Sequence, residues 1–226
     1  MKSNKKTGRF VGLLFLFIFA TGIIVYQFLQ GPILFSDNFL ITASENSNEI
    51  IISTLLLFLS GIISITIAVI LLPIFKKYSI TLAFLYLAFS ILSFIAISID
   101  NISVLSILEL SQEYIKNGTD NSEVLNTLGN VFYKKHWWSH YLSLLISCLP
   151  VFILYYALYV SELVPKVISI VGIIAVILMF IEILFSIFGN SISMNMLLPI
   201  GLIQLIFPLW LIFKGFKSTT LEIESK

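Results

Sequence analysis

Six long apolar stretches restrict the folds open to this chain. They cover about residues 10–29, 49–75, 78–99, 138–160, 165–188 and 194–213. A helix needs about 20 apolar residues to cross the hydrocarbon core of a bilayer, and each stretch has about that length. Charged residues make up only 11% of the chain, well below the roughly one quarter typical of soluble domains. The sequence therefore predicts an all-α polytopic membrane protein, a six-helix transmembrane bundle forming one domain over residues 1–226.

Helix-breaking residues separate these stretches. Gly31 and Pro32 follow the first, and Pro73 with the pair Lys76 and Lys77 closes the second. Glycine and proline are the strongest local signals for the end of a regular element. We therefore expect the first span to end before Gly31.

The connection between the third and fourth spans, residues 100–137, has a helical pattern of its own. Apolar and polar residues alternate at helical spacing between Val104 and Lys116, and Asn117 with Gly118 is a plausible helix stop. Asp120 or Ser122 can then cap a new helix that leads into the fourth span. The pattern predicts a helical hairpin outside the cytoplasm. It can serve as a solvated connector, or as a lid or partner surface.

The basic residues predict how the chain is threaded through the membrane. An even number of crossings places both termini on one side, and ten of the thirteen lysines and arginines fall on that side. The other three are Lys116, Lys134 and Lys135. Because cytoplasmic loops are enriched in basic residues, we expect a multi-pass plasma-membrane protein with cytoplasmic termini. Its richness in Ile, Asn, Lys and Phe suggests a bacterial source with an AT-rich genome.

A carboxylate lies within the fifth apolar stretch. Glu182 is surrounded in sequence by apolar and small residues, and an ionisable group at membrane depth marks a functional site by default. Gly172, Ala175 and Ser186 recur with it at spacings of three and four residues, so they share one helical face. Small residues line helix contacts in membranes, which predicts that Glu182 faces the interior of the bundle.

Other polar residues are predicted to lie at a similar depth. His136 and His140 stand at i and i+4 near the outer end of the fourth span, Asp100 ends the third, and Gln204 is near the middle of the sixth. Together with Glu182 they form a predicted polar cluster that opens away from the cytoplasm.

Two chemical interpretations of this cluster stay open. Two histidines at i and i+4, with Glu182 as a third ligand, would suit a zinc site with an open position for water. The charges of Lys134 and Lys135 oppose a cation there. Alternatively, the histidines belong to an interfacial belt beside Trp137 and Trp138. In that case Glu182 is a neutral acid bonded to a neighbour such as Gln204. No cofactor is predicted.

Two classes of function follow from these interpretations. We favour a non-enzymatic carrier or partner-binding membrane component with a polar cavity around Glu182; the alternative is an intramembrane enzyme, possibly metal-dependent, that acts on lipid at the outer leaflet. The two halves of the chain show no internal repeat, which argues against a conventional transporter. An enzyme would need an acid–base pair or a metal, and only Glu182 with His136 is available.

The expected partner is the lipid bilayer. Basic residues are dispersed, which argues against nucleic acid, and no glycine-rich phosphate loop occurs, which argues against a nucleotide. A membrane-protein partner or a second copy of the chain stays open.

Several segments resemble one bacterial membrane-protein family. They are Arg9-Phe-Val-Gly-Leu-Leu at the first span, Lys76-Lys77-Tyr-Ser-Ile-Thr before the third, Ser161-Glu-Leu-Val-Pro-Lys166 before the fifth, and Trp210-Leu-Ile-Phe-Lys-Gly215 at the end. This order is similar to that of the family filed as domain of unknown function 4386. The resemblance implies a histidine near the start of the fourth span, which His136 matches. It also implies a second, deeper histidine where this chain has Pro150, whereas His140 has no counterpart. The family name implies no activity, fold or substrate.

Overall fold

The computed structural model describes residues 2–117, 122–190 and 194–217, and these are helical with short connections and no strand. The α-helices are α1 (Lys2–Ile23), α2 (Gln30–Leu34), α3 (Phe39–Glu45), α4 (Ser47–Phe75), α5 (Ile80–Asn117), α6 (Ser122–Ser161), α7 (Lys166–Ile187) and α8 (Leu198–Lys214). A π-helical segment, Ile24–Leu29, joins α1 to α2, and a 3₁₀ turn, Met194–Leu197, precedes α8. The predicted all-α class is confirmed for the described residues.

Five helical stretches within the described ranges are long and apolar enough to cross a membrane. They are Asn4–Leu34, Ser47–Phe75, Ile80–Lys116, Glu123–Ser161 and Lys166–Ile187. The apolar helix α8 is shorter, at 17 residues. The chain is therefore a multi-pass integral membrane protein. A sixth crossing by α8, the sidedness of the termini and the helical hairpin stay predictions.

The first apolar helix extends further than its sequence suggests. Helical backbone continues through Gly31 and Pro32 to Leu34, whereas we expected the span to end before Gly31. Within the π-helical segment each turn is wider than an α-turn, and this brings the Tyr26 carbonyl close to Gly31. A β-carbon on Gly31 would overlap that carbonyl oxygen. Pro32, which has no N–H to donate, lies in the first turn of α2, directly after this widened segment.

The helix predicted to continue beyond Asp100 does so without a break. α5 has 38 residues and ends at Asn117, the predicted stop. α6 has 40 residues and begins at Ser122, one of the two predicted caps. Gly118 and Asp120 lie outside the described residues.

The structure divides into two compact units. The first comprises Met1–Phe19, Ile63–Ser93 and Leu144–Lys226. Within its described part, Tyr155 of α6 packs edge to face on Phe207 of α8, with ring centroids 5.6 Å apart. Gly172 of α7 lies so close to the Tyr155 ring that a β-carbon would overlap it. Small residues thus allow close helix packing here, as expected in a membrane.

The second unit comprises Ala20–Ile62 and Phe94–Ser143. Its apolar core joins residues of α2, α3, α4 and α5: Ile33, Leu34, Ala43, Ile50, Val104, Ile107 and Leu108. The amide of Asn101 donates to the Thr54 carbonyl oxygen at 3.4 Å and links α5 to α4. This unit also contains a polar group around Asp100.

Candidate functional site

The side chain of Asp100 lies at the centre of a hydrogen-bonded group in the second unit. Its Oδ1 is 2.8 Å from Nδ1 of His136, and its Oδ2 is 3.0 Å from Nδ1 of His140. The hydroxyl of Ser139 donates to Oδ1 at 2.8 Å. Only 6% of the Asp100 side chain is exposed, against 13% for His136 and 24% for His140. We call Asp100, His136, Ser139 and His140 the Asp100 cluster.

Helix periodicity explains why α6 supplies three of these residues. His136, Ser139 and His140 stand at i, i+3 and i+4, the spacing that places side chains on one face of an α-helix. The Ser139 hydroxyl also lies 3.0 Å from the His136 carbonyl oxygen, which ties it to the preceding turn. Asp100 comes from α5, where nothing in its local sequence identifies its partners.

The carboxylate determines which imidazole nitrogens carry hydrogen. An ionised carboxylate only accepts hydrogen bonds, so both Nδ1 atoms must be donors. In a neutral imidazole the other nitrogen, Nε2, then keeps its lone pair. Among the residues that the structure describes, neither Nε2 has a hydrogen-bond partner. The Asp100 cluster therefore presents two basic nitrogens to any ligand that reaches it.

Aromatic rings surround the two imidazoles. The Tyr26 ring meets His140 edge to face with centroids 5.5 Å apart, and Tyr133 meets His136 in the same way at 6.5 Å. Tyr26 belongs to the π-helical segment, and such segments occur frequently at functional sites. Nothing in the sequence singles out Tyr26, since its apolar neighbours give no sign of a widened turn.

The serines of α6 have partners other than the histidine rings. The Ser143 hydroxyl donates to the His140 carbonyl oxygen at 2.8 Å, while Ser139 bonds Asp100 and the His136 carbonyl. A nucleophilic serine needs its hydroxyl directed at the base that takes its proton. Neither serine meets this requirement.

Gln30 is a second polar residue that sequence analysis missed. Only 3% of it is exposed, and its amide nitrogen has no hydrogen-bond partner among the described residues. A buried donor without a partner costs about 1–3 kcal/mol. The available signal was a glutamine next to Gly31 at the end of an apolar run.

Glu182 lies in the first compact unit. It is half-buried on α7, and Ser186, one turn later, donates to its Oε1 at 2.9 Å. Gly172 and Ala175 of the predicted stripe are buried. The carboxylate thus finds a partner on its own helix, whereas one interpretation of the sequence offered Gln204 as an example of a neighbour to bond it.

Gln204 does not lie on the buried face of α8. It is exposed, and the buried positions are Ile200, Ile203, Phe207, Pro208 and Leu211. Its neighbour Gly201 has open space where a β-carbon would be. The interior position expected for Gln204 is corrected, because the buried face of α8 is formed by its apolar residues and Gln204 lies off that face.

The residues of the predicted polar cluster belong to two different compact units. Asp100, His136 and His140 come together in the second unit, whereas Glu182 and Gln204 belong to the first. Within the described ranges, no three or more His, Cys, Asp or Glu side chains are arranged to bind a metal directly. The zinc hypothesis for His136, His140 and Glu182 therefore has no geometric support there.

Comparison with known families identifies the chain. A family model described as "Domain of unknown function (DUF4386)" matches residues 10–215. The chain belongs to this family. The resemblance found from the sequence is confirmed, and the DUF4386 region includes the whole Asp100 cluster. No curated protein and no solved structure shows significant similarity to the chain.

Proposed function

We propose that this DUF4386 protein is a non-enzymatic membrane component, a carrier or partner-binding protein, and that the Asp100 cluster is its binding centre. The observation that supports this most is the buried Asp100 carboxylate shared by two imidazoles. We therefore propose Asp100, and not Glu182, as the centre of the site.

The energetic cost of the Asp100 cluster supports a functional role. Removing an ionised carboxylate from water is expensive unless it is paired and hydrogen-bonded. Apolar residues of similar volume often replace buried ionic groups with no loss of stability. Ionisable side chains within membrane spans are rare and mark binding sites or ion pathways. A fold that keeps three such groups together is best explained by a ligand.

The proposal includes the topology expected from the sequence. With six crossings and cytoplasmic termini, the cluster lies toward the extracytoplasmic side, where α5 and α6 continue beyond the bilayer as a hairpin. Cysteine labelling tests this in a Cys148→Ser background, which removes the chain's single cysteine. Lys116→Cys and Lys217→Cys are expected to react with an impermeant reagent from opposite sides. Labelling of both from one side contradicts the topology.

An intramembrane enzyme acting on lipid is the second candidate. A carboxylate bonded to Nδ1 of a histidine is the arrangement that orients a general base, and His136 and His140 both have it. Because Ser139 and Ser143 are directed elsewhere, such an enzyme would have to activate water. Lipid analysis of liposomes incubated with wild type and with His136→Gln tests this. A product formed only by the wild type favours the enzyme.

Binding is tested by a thermal-stability screen of the protein in nanodiscs. The panel contains divalent metal ions, amines, carboxylic acids, sugars and lipid headgroups. At least one class is expected to stabilise the wild type but not Asp100→Asn. Glu109→Gln is the matched control, since it makes the same chemical change at an exposed position of α5. The proposal fails if no class stabilises the wild type, or if every stabilising class acts equally on all three proteins.

A further inference from the structure

We infer that the Asp100 cluster binds one divalent transition-metal ion through Nε2 of His136 and Nε2 of His140. The ion is an exchangeable cargo, and Asp100 supports both ligands without contacting the metal. This inference rests on the proposed function, because it names the ligand of the same centre.

The hydrogen bonds of the cluster match those around metal-binding histidines. A histidine that binds a metal through one nitrogen almost always donates its other N–H to a carboxylate, a carbonyl or water. Such a bond fixes the tautomer and makes the ligating nitrogen more basic. Here one carboxylate does this for two rings, at 2.8 and 3.0 Å.

The separation of the rings is compatible with one shared ion. Zinc lies about 2.0–2.1 Å from a histidine nitrogen, so its distance from the ring centroid is about 3.2 Å, and two rings on one ion have centroids at most about 6.4 Å apart. The centroids of His136 and His140 are 5.6 Å apart. This spacing follows from their i and i+4 positions on α6.

The charge of the cluster favours a cation. With both imidazoles neutral, an ionised Asp100 gives the cluster one negative charge. Among the described residues its side-chain hydrogen-bond partners are His136, Ser139 and His140, none of which is then a cation. Buried charges in proteins are paired or bind metals. Lys134 and Lys135, which seemed to oppose a cation, are both exposed, so solvent screens their charges.

The number of ligands explains why the ion would be cargo. Structural zinc sites have four protein ligands and catalytic sites three. Two histidines leave further positions open, which agrees with the lack of a cluster of three or more direct ligands in the described part of the chain. Imidazole suits Zn²⁺, Ni²⁺ and Cu²⁺, whereas Mg²⁺ and Ca²⁺ prefer oxygen. We therefore assign the site to the first group.

Asp100→Asn isolates the role of the carboxylate. The amide has nearly the same shape, but its nitrogen can only donate. One imidazole must then turn its Nδ1 lone pair toward the amide and carry its hydrogen on Nε2. That ring loses its ligating lone pair, although both histidines are still present.

Metal titration of the full chain tests the inference. The protein carries an affinity tag without histidine, is freed of metal, and is titrated with Zn²⁺ or Mg²⁺ in nanodiscs. The chain has only two histidines, so His136→Gln and His140→Gln report on this site alone. We expect one Zn²⁺ per wild-type chain, loss of this binding in each histidine variant, and a 10- to 100-fold weaker Kd in Asp100→Asn. Glu109→Gln should bind as wild type does, and Mg²⁺ should not compete.

A measurement on the wild type alone covers the case in which a variant does not fold. Bound Zn²⁺ should slow modification of His136 and His140 by diethyl pyrocarbonate, as followed by mass spectrometry, and Mg²⁺ should not.

Two results overturn the inference: the wild type binds no stoichiometric Zn²⁺, or Asp100→Asn folds and binds Zn²⁺ as tightly as the wild type. If Zn²⁺ does not bind, but another class of compound stabilises the wild type and not Asp100→Asn, the Asp100 cluster is still a binding centre and only its assignment to a metal ion is wrong. If every class fails, both proposals fall.

Discussion

Oδ1 of Asp100 lies 2.8 Å from Nδ1 of His136, although 36 residues separate the two in the sequence. This pair joins α5 to α6 and, with His140, forms a buried polar group in an otherwise apolar protein. Only 6% of the Asp100 side chain is exposed, so water cannot take the place of the carboxylate as the hydrogen-bond acceptor of the two imidazoles. The stability of this region and the proposed binding both depend on it.

Asp100→Ala should destabilise the protein strongly. Without the carboxylate the Nδ1–H groups of His136 and His140 lose their acceptor, and a buried donor without a partner costs about 1–3 kcal/mol. We expect a loss of this size in the free energy of unfolding, measured by denaturant titration in detergent. Glu109→Ala, at an exposed position of α5, should change it by no more than about 0.5 kcal/mol. Equal effects of the two substitutions would mean that the Asp100 cluster does not stabilise the fold.

Gly31→Ala should disturb the π-helical segment. The added β-carbon would overlap the Tyr26 carbonyl oxygen, and relief of such overlaps typically costs about 1–3 kcal/mol. Gly22→Ala is the matched control, since a β-carbon there meets nothing within 4 Å. A helical Ala for Gly exchange stabilises by up to about 1 kcal/mol. In detergent, the melting temperature should therefore fall in Gly31→Ala and rise in Gly22→Ala. An unchanged melting temperature in Gly31→Ala would argue against the close approach of Gly31 to the Tyr26 carbonyl oxygen.

Gly172→Ala tests the packing of α7 on α6 in the first compact unit. Its β-carbon would overlap the Tyr155 ring, so we expect a lower melting temperature in detergent. Gly201→Ala on α8 meets nothing within 4 Å and should melt at or above the wild-type temperature. Similar melting of both variants would contradict the described packing.

Glu182→Gln distinguishes a binding centre at Asp100 from one at Glu182. Glutamine keeps an oxygen that can accept the Ser186 hydrogen bond, so the fold should be preserved. If the histidine pair alone supplies the protein ligands, Zn²⁺ stoichiometry and Kd should stay at their wild-type values in calorimetric titration. A loss of binding in this variant would contradict a site in which the histidine pair alone supplies the protein ligands.

The sequence predicted the long apolar helices because each crossing of a bilayer needs about 20 apolar residues. Apolar runs predicted the bounds of α4 and α7 to within two residues, and helical periodicity predicted that His136 and His140 share a face. The π-helical segment was not predictable, since Gly31 and Pro32 are also typical of a helix end. Only the packed structure shows why they continue the helix.

The polar partners were harder to predict than the helices. Glu182 seemed the strongest signal, yet its bond to Ser186 is a contact between i and i+4 on one helix and was available in the sequence. The Asp100 pairing was not, because it joins two helices whose facing residues depend on packing. Gln204 shows the same limit, since a polar side chain in the sixth span did not reveal which face of α8 is buried.

Zn²⁺ titration of wild type and Asp100→Asn in nanodiscs tests the central claim most directly. We predict one Zn²⁺ per wild-type chain and a Kd raised 10- to 100-fold by the substitution, with Glu109→Gln unchanged. Equal affinity in wild type and a folded Asp100→Asn would show that the carboxylate does not support a binding centre for this ion.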